Sequence, residues 1–118
     1  MTRRGDEIAR PNPWPVRAVD RTAGVGWDQL VANEPEAADR AWVAMTSNPR
    51  RVDDRQHQLK GSLAQTTVGG RTLDHWQVEA TSAGRVWYAI DDEARTLWVT
   101  QAGTGHPKQT DRPRRQKR

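Results

Sequence analysis

The sequence predicts an α+β domain in which an N-terminal helical hairpin packs on a four-stranded antiparallel sheet, with flexible basic tails at both ends. Three observations predict it. Apolar residues recur at helical spacing between positions 26 and 47, then at period two beyond Gly61. Short turn signals separate the period-two segments, as in a meander. The basic charge gathers at the two ends, beside the prolines. With 118 residues the chain has room for one domain. The expected organisation is a flexible segment 1–21, a folded domain 22–106 and a basic disordered tail 107–118.

The elements follow in order. Residues 16–20 (VRAVD) suit either a short edge strand or extended chain. Trp27, Leu30 and Val31 have helical spacing, so residues 26–32 read as a short helix. A second helix starts after Asn33, which can cap, with Pro35 in the first turn and Glu36 at the capping-box position. Ala38, Ala41, Trp42 and Met45 form its stripe, and Asn48-Pro49 stops it. Residues 50–60 are polar and irregular. Residues 62–68 form a weak strand that Gly69-Gly70 turns back as a hairpin. In the next strand Trp76, Val78 and Ala80 face one way, with His75, Gln77 and Glu79 opposite. After the turn at Ser82-Ala83-Gly84, Val86, Tyr88 and Ile90 oppose Arg85, Trp87 and Ala89, and residues 96–102 (TLWVTQA) close the sheet.

Composition narrows the function. Nineteen Lys and Arg against fifteen Asp and Glu leave a net charge of +4. The tail 107–118 holds six basic residues against one acid, and segment 1–21 five against three, so the middle, with eight against eleven, is acidic at −3. Any RNA or DNA argument therefore rests on placed residues, not on bulk charge. The absence of cysteine excludes a disulfide scaffold, a thiolate metal site and thiol catalysis. No apolar run has the length of a membrane span or signal sequence, so a soluble, cytoplasmic protein is expected. No P-loop, dinucleotide fingerprint or HExxH appears, so no cofactor, metal or small-molecule ligand is expected.

The chemistry-bearing candidates are His57, in HQLKG before the first predicted strand, His106, in GTGHPK after the last, and Arg85, opening the third. Two imidazoles beside an arginine and a lysine suit phosphodiester cleavage: one takes the ribose 2′-hydroxyl proton and the other donates to the leaving oxygen. Arg85 and Lys60 would then stabilise phosphate charge, with Arg55 and Lys108 as further substrate-binding candidates. Spacing alone leaves a second use open, in which Arg85 pairs with Asp91, Asp92 or Glu93 and the histidines never meet. His75, on the polar side of its strand, reads as a solvated surface histidine.

A helical hairpin ending in Asn48-Pro49, followed by HQLKG, WQVEAT, GRVWYAIDDE and LWVTQAGTGH, resembles the RelE/ParE superfamily of bacterial toxins over residues 27–106. The most specific stretch is GRVWYAID, residues 84–91. The resemblance to the RelE-like branch implies a metal-independent endoribonuclease that cuts mRNA on the ribosome through 2′-hydroxyl attack and so inhibits translation. Its implied partners are a cognate antitoxin, the ribosome and mRNA. Carried over by position, Arg85 matches the phosphate-binding arginine, His106 the basic residue after the last-strand glycine, and His57 the histidine before Leu-x-Gly. Lys60 lies beside that motif. The chain departs from the pattern at Gln77 and Glu79, where many active members are basic, and at Pro107, often arginine. The gyrase-inhibiting ParE-like branch does not need those residues and stands as the alternative, together with a catalytically silent RNA- or protein-binding module. In a third reading, the tail is a nucleic-acid tether on an inert domain.

Overall fold

In the computed structural model, which describes residues 1–104, two helices lie on one face of a mixed sheet. The elements are β1 (Val16–Ala18), α1 (Arg21–Asn33), α2 (Pro35–Ser47), β2 (Gln56–Gln58), a 3₁₀ turn (Gly61–Leu63), β3 (Gln65–Val68), β4 (Arg71–Glu79), β5 (Arg85–Asp91) and β6 (Thr96–Gly103). His106, Lys108 and the basic tail 107–118 lie outside the described residues.

The predicted meander is the run β3 to β6, each strand antiparallel to the next. The four-stranded, wholly antiparallel sheet is corrected in two places. The sheet has six strands in the order β1-β6-β5-β4-β2, with β3 also on β4, and β1 runs parallel to β6. Both added strands are three-residue pieces, VRA and QHQ, that pair on one side only. Such short segments show no alternation long enough to read, and pairing with distant strands recruits them. For residues 16–20 the edge-strand alternative is the observed one, so pairing begins within segment 1–21. Residues 50–60 are likewise not irregular throughout.

Helix α1 starts five residues earlier than predicted, because Asp20 caps it and its carboxylate accepts from the Ala23 N–H at 2.8 Å. Asn33 is the last residue of α1, not the cap of α2. Glu34 takes that place, with φ −141° and ψ 64°, outside the α region that the following Pro35 disfavours. The Glu34 N–H closes α1 on the Leu30 carbonyl, and the Glu34 carbonyl opens α2 by accepting from Ala38, each at 2.8 Å. The hairpin therefore turns on a single residue. Gly26 allows α1 to press on β6: a Cβ there would stand 2.3 Å from the Ala102 carbonyl oxygen.

The core forms where the alternation places it. Trp76 and Val78 of β4 and Ala80 just after it, with Val86, Tyr88 and Ile90 of β5, are buried against Leu30, Ala38, Ala41 and Met45 of the helices. Trp42 leaves its predicted stripe; it is 39% exposed and leans on Trp27, ring centroids 5.7 Å apart. The hairpin glycines Gly69 and Gly70 have φ of +58° and +79°, as a primed two-residue turn requires. At the β5–β6 step Trp87 pairs with Gln101 and Tyr88 with Val99, so Thr100 is an extra residue in β6.

Candidate functional site on the open sheet face

Residues that alternate with the core positions point away from the helices, and the strand register assembles them into rows. His57 of β2 lies opposite Gln77 of β4, Gln77 opposite Trp87 of β5, and Trp87 opposite Gln101 of β6. The Trp87 indole N–H donates to Gln77 Oε1 at 2.8 Å. One neighbouring row holds His75, Ala89 and Trp98, and the other Glu79, Arg85 and Gly103. The result is a strip across four strands that runs from His57 to Gln101, with His75 in the row beside it.

His57 is half-buried, and its Nδ1 lies 2.9 Å from the Gln58 carbonyl oxygen. A carbonyl only accepts, so Nδ1 carries the proton and Nε2 is left to take one. That nitrogen has no partner among the described residues. Lys60 follows the buried Leu59 and is exposed at the start of the 3₁₀ turn. Arg55 is exposed, and its carbonyl accepts from the Glu79 N–H at 2.7 Å. Its side chain lines a cleft at the outer edge of β2 and β4.

Arg85 shares the face with His57 but does not reach it. Strand spacing and rise per residue set their Cα atoms roughly 12 Å apart, two strands over and two residues along. Its Nη1 donates to the carbonyls of Thr81 (3.1 Å), Ser82 (3.2 Å) and Gly84 (3.1 Å), and Nη2 lies 3.8 Å from Glu79. The pairing with Asp91, Asp92 or Glu93 left open by the sequence does not form. Asp91 and Glu93 pair with Arg71, and Asp92 with Arg50. Arg85 thus clamps the β4–β5 turn and keeps only its Nε and Nη2 side for a ligand.

His75 is a correction. It is 5% exposed, not solvated, because the 3₁₀ turn and the extra residue of β6 close over it. Its Nδ1 donates to the Leu63 carbonyl at 3.1 Å, and its Nε2 accepts from the Thr100 hydroxyl at 2.7 Å. Burial lowers its pKa from the ordinary 6.5, outweighing the Leu63 hydrogen bond, so the imidazole is neutral. Trp87 meets it edge-on at 5.6 Å between centroids. The missed signal was Trp87 itself, a large indole on the polar parity of β5 that needed neighbours to cover.

Of the residues singled out in the sequence, the described part brings His57, Lys60 and Arg55 to one sheet edge and sets Arg85 apart. No group of three or more His, Asp or Glu side chains suited to a metal ion occurs among the described residues. No described helix is long and apolar enough to cross a membrane.

No family model and no curated protein matches the chain. Among solved structures, that of a metal-bound toxin from Helicobacter pylori superposes with a TM-score of 0.53 at 16% identity, over 76% of this chain and 92% of that one. At that identity the likeness is one of fold: this chain shares its α+β architecture with that protein.

Proposed function

We propose that the chain is the toxin of a toxin–antitoxin pair of the RelE/ParE kind, and that its open sheet face cleaves mRNA on the ribosome without a metal. The observation that carries the reading is His57, whose Nδ1 is engaged by the Gln58 carbonyl while Nε2 is left to act as a base on a toxin-like fold. In the proposed step Nε2 takes the ribose 2′-hydroxyl proton and the 2′-oxygen attacks the adjacent phosphorus. The bond to the 5′-oxygen breaks, and that oxygen takes a proton from His106, whose part rests on its sequence position alone. The products are a 2′,3′-cyclic phosphate and a 5′-hydroxyl. Arg85 offers its Nε and Nη2 edge to the phosphate, while Lys60, Arg55 and Lys108 hold the strand. The antitoxin would act by covering this face.

Induced expression without antitoxin tests the reading. The unaltered chain should arrest growth and shorten mRNA, and His57→Ala, Arg85→Ala and His106→Ala should each relieve the arrest. A harmless unaltered chain, or variants that arrest equally well, would refute the catalytic assignment. A second reading, a silent RNA- or protein-binding module, is favoured by Arg85 spending Nη1 on three turn carbonyls. Intact mRNA with DNA damage during arrest would instead point to gyrase.

A further inference from the structure

The arginines around the sheet are unevenly paired. Arg50 bridges Asp74 and Asp92, and Arg71 bridges Asp91 and Glu93. Arg40, Arg51 and Arg55 converge on one cleft and lie within 4 Å of no carboxylate among the described residues. The cleft, of about 420 Å³, opens between α2 and the outer edge of β2 and β4. The Arg40 guanidinium makes one bond, at 3.4 Å to the Ala80 carbonyl, and those of Arg51 and Arg55 make none among the described residues. Two carboxylates also line the cleft, and each is turned to another use. Asp53 accepts from the Arg55 backbone N–H at 2.8 Å, and Glu79 faces Arg85.

The floor differs from the rim. It is apolar at Ala44 and Val78 and carries one buried polar group, Gln56, only 1% exposed. The Gln56 amide nitrogen donates to the Asn48 carbonyl and the Tyr88 hydroxyl, each at 2.9 Å, which fixes the orientation of the side chain. Its Oε1 is then a buried acceptor without a donor among the described residues. Leaving such an acceptor unmet costs on the order of 1–3 kcal/mol. Three arginines against two carboxylates that are turned to other partners leave the cleft net positive, which favours an anion.

We infer that this cleft binds one nucleotide of an RNA strand, its phosphate on the guanidiniums of Arg40, Arg51 and Arg55 and its base over Ala44 and Val78, where an amino or imino N–H meets Gln56 Oε1. Guanidinium forks match phosphate oxygens in pairs, and the volume lies in the range of small-ligand sites. A glutamate-rich peptide would satisfy the arginines but not the buried acceptor, so the nucleotide fits better. Gln56 and His57 are consecutive on the edge strand β2 and point to opposite sides of it. A strand lying over that edge therefore seats one nucleotide in the cleft and brings its neighbour to the open face. The inference rests on the proposed RNA-directed reading for the identity of the strand, but its test is binding and not cleavage.

Calorimetric titration of the full chain with adenosine, guanosine, cytidine and uridine monophosphates decides it, with inorganic phosphate and a hexaglutamate peptide as comparisons. At least one nucleotide should bind at least tenfold more tightly than inorganic phosphate. The double variant Arg51→Gln/Arg55→Gln, altered at two exposed side chains, should weaken it at least tenfold with an unchanged melting temperature. Binding that survives the double change, phosphate that binds as well as any nucleotide, or a peptide that binds better would each overturn the inference. Nucleotide binding by a chain that arrests no growth would sink the toxin reading and leave the cleft standing.

Discussion

The two faces of the sheet are built from the same strands by the same alternation, yet they are filled in opposite ways. Against the helices, fourteen buried residues run from Ala23 to Val99 as one continuous core. On the other face only Val68, Leu73 and Ala89 form a buried apolar cluster, helped by Val19 and Trp98, and the rest is a row of polar side chains that partner one another. The difference teaches a division of labour. Burial on the helix side supplies stability at about 1.5–3 kcal/mol per large aliphatic side chain. The open side holds imidazole, amide and guanidinium groups instead.

The division is broken most severely on the helix side. Leu30 is fully buried, so Leu30→Ala should cost about 2–5 kcal/mol, read as a lower denaturant midpoint with an unchanged slope. Next come the helix glycines, which sharpen the account of how α1 sits on β6. Gly26→Ala should cost about 1–3 kcal/mol because its Cβ meets the Ala102 carbonyl. Gly24→Ala meets only the Ala18 Cβ at an ordinary 3.6 Å and should stabilise by up to about 1 kcal/mol. Equal effects at the two positions would contradict that packing.

On the open side the effects are smaller and depend on conditions. The His75 pKa is lower in the folded chain than its unfolded 6.5, so the unfolded state binds more protons between the two values. The stability His75 contributes is therefore complete above about pH 6.5 and falls as the pH drops from there through the lowered folded value. Urea midpoints at about pH 7.5 and about pH 5.5 should show this fall, and His75→Gln should reduce it. An unchanged slope in that variant would mean that other groups carry the acid sensitivity. Smallest is the exposed bridge from Arg50 to Asp74 and Asp92, where Arg50→Ala should cost no more than about 1 kcal/mol and less at high salt.

How much was legible follows from the range of the forces involved. Period-two alternation at Trp76, Val78 and Ala80 and the positive-φ glycines Gly69 and Gly70 are local signals, and the meander was readable from them. The stop at Asn48-Pro49 was local too. Strands β1 and β2 depend on pairing with β6 and β4; three residues left β1 as one of two alternatives and gave no sign of β2. Asp20 caps α1, but Gly24 and Gly26 hid the helix that follows it. At the site, strand parity put Arg85 on the face opposite the core, whereas His57 joins that face only through the pairing of β2 with β4. Parity could not show that Arg85 turns to the carbonyls of Thr81, Ser82 and Gly84, or that the turn at Leu63 buries His75. The arginine cleft was out of reach, since Arg40 comes to line one cleft with Arg51 and Arg55 only once α2 packs beside β4.

The central claim is that the open face cleaves RNA with His57 as base, and the ends of the cut RNA test it most directly. RNA from cells arrested by the unaltered chain should carry new 2′,3′-cyclic phosphate and 5′-hydroxyl ends. His57→Ala should make those ends about 10²–10⁴ times more slowly, as expected for losing a general base, while melting within about 1 kcal/mol of the unaltered chain. Ends that form at the same rate without His57, or arrest with no such ends at all, would contradict the account.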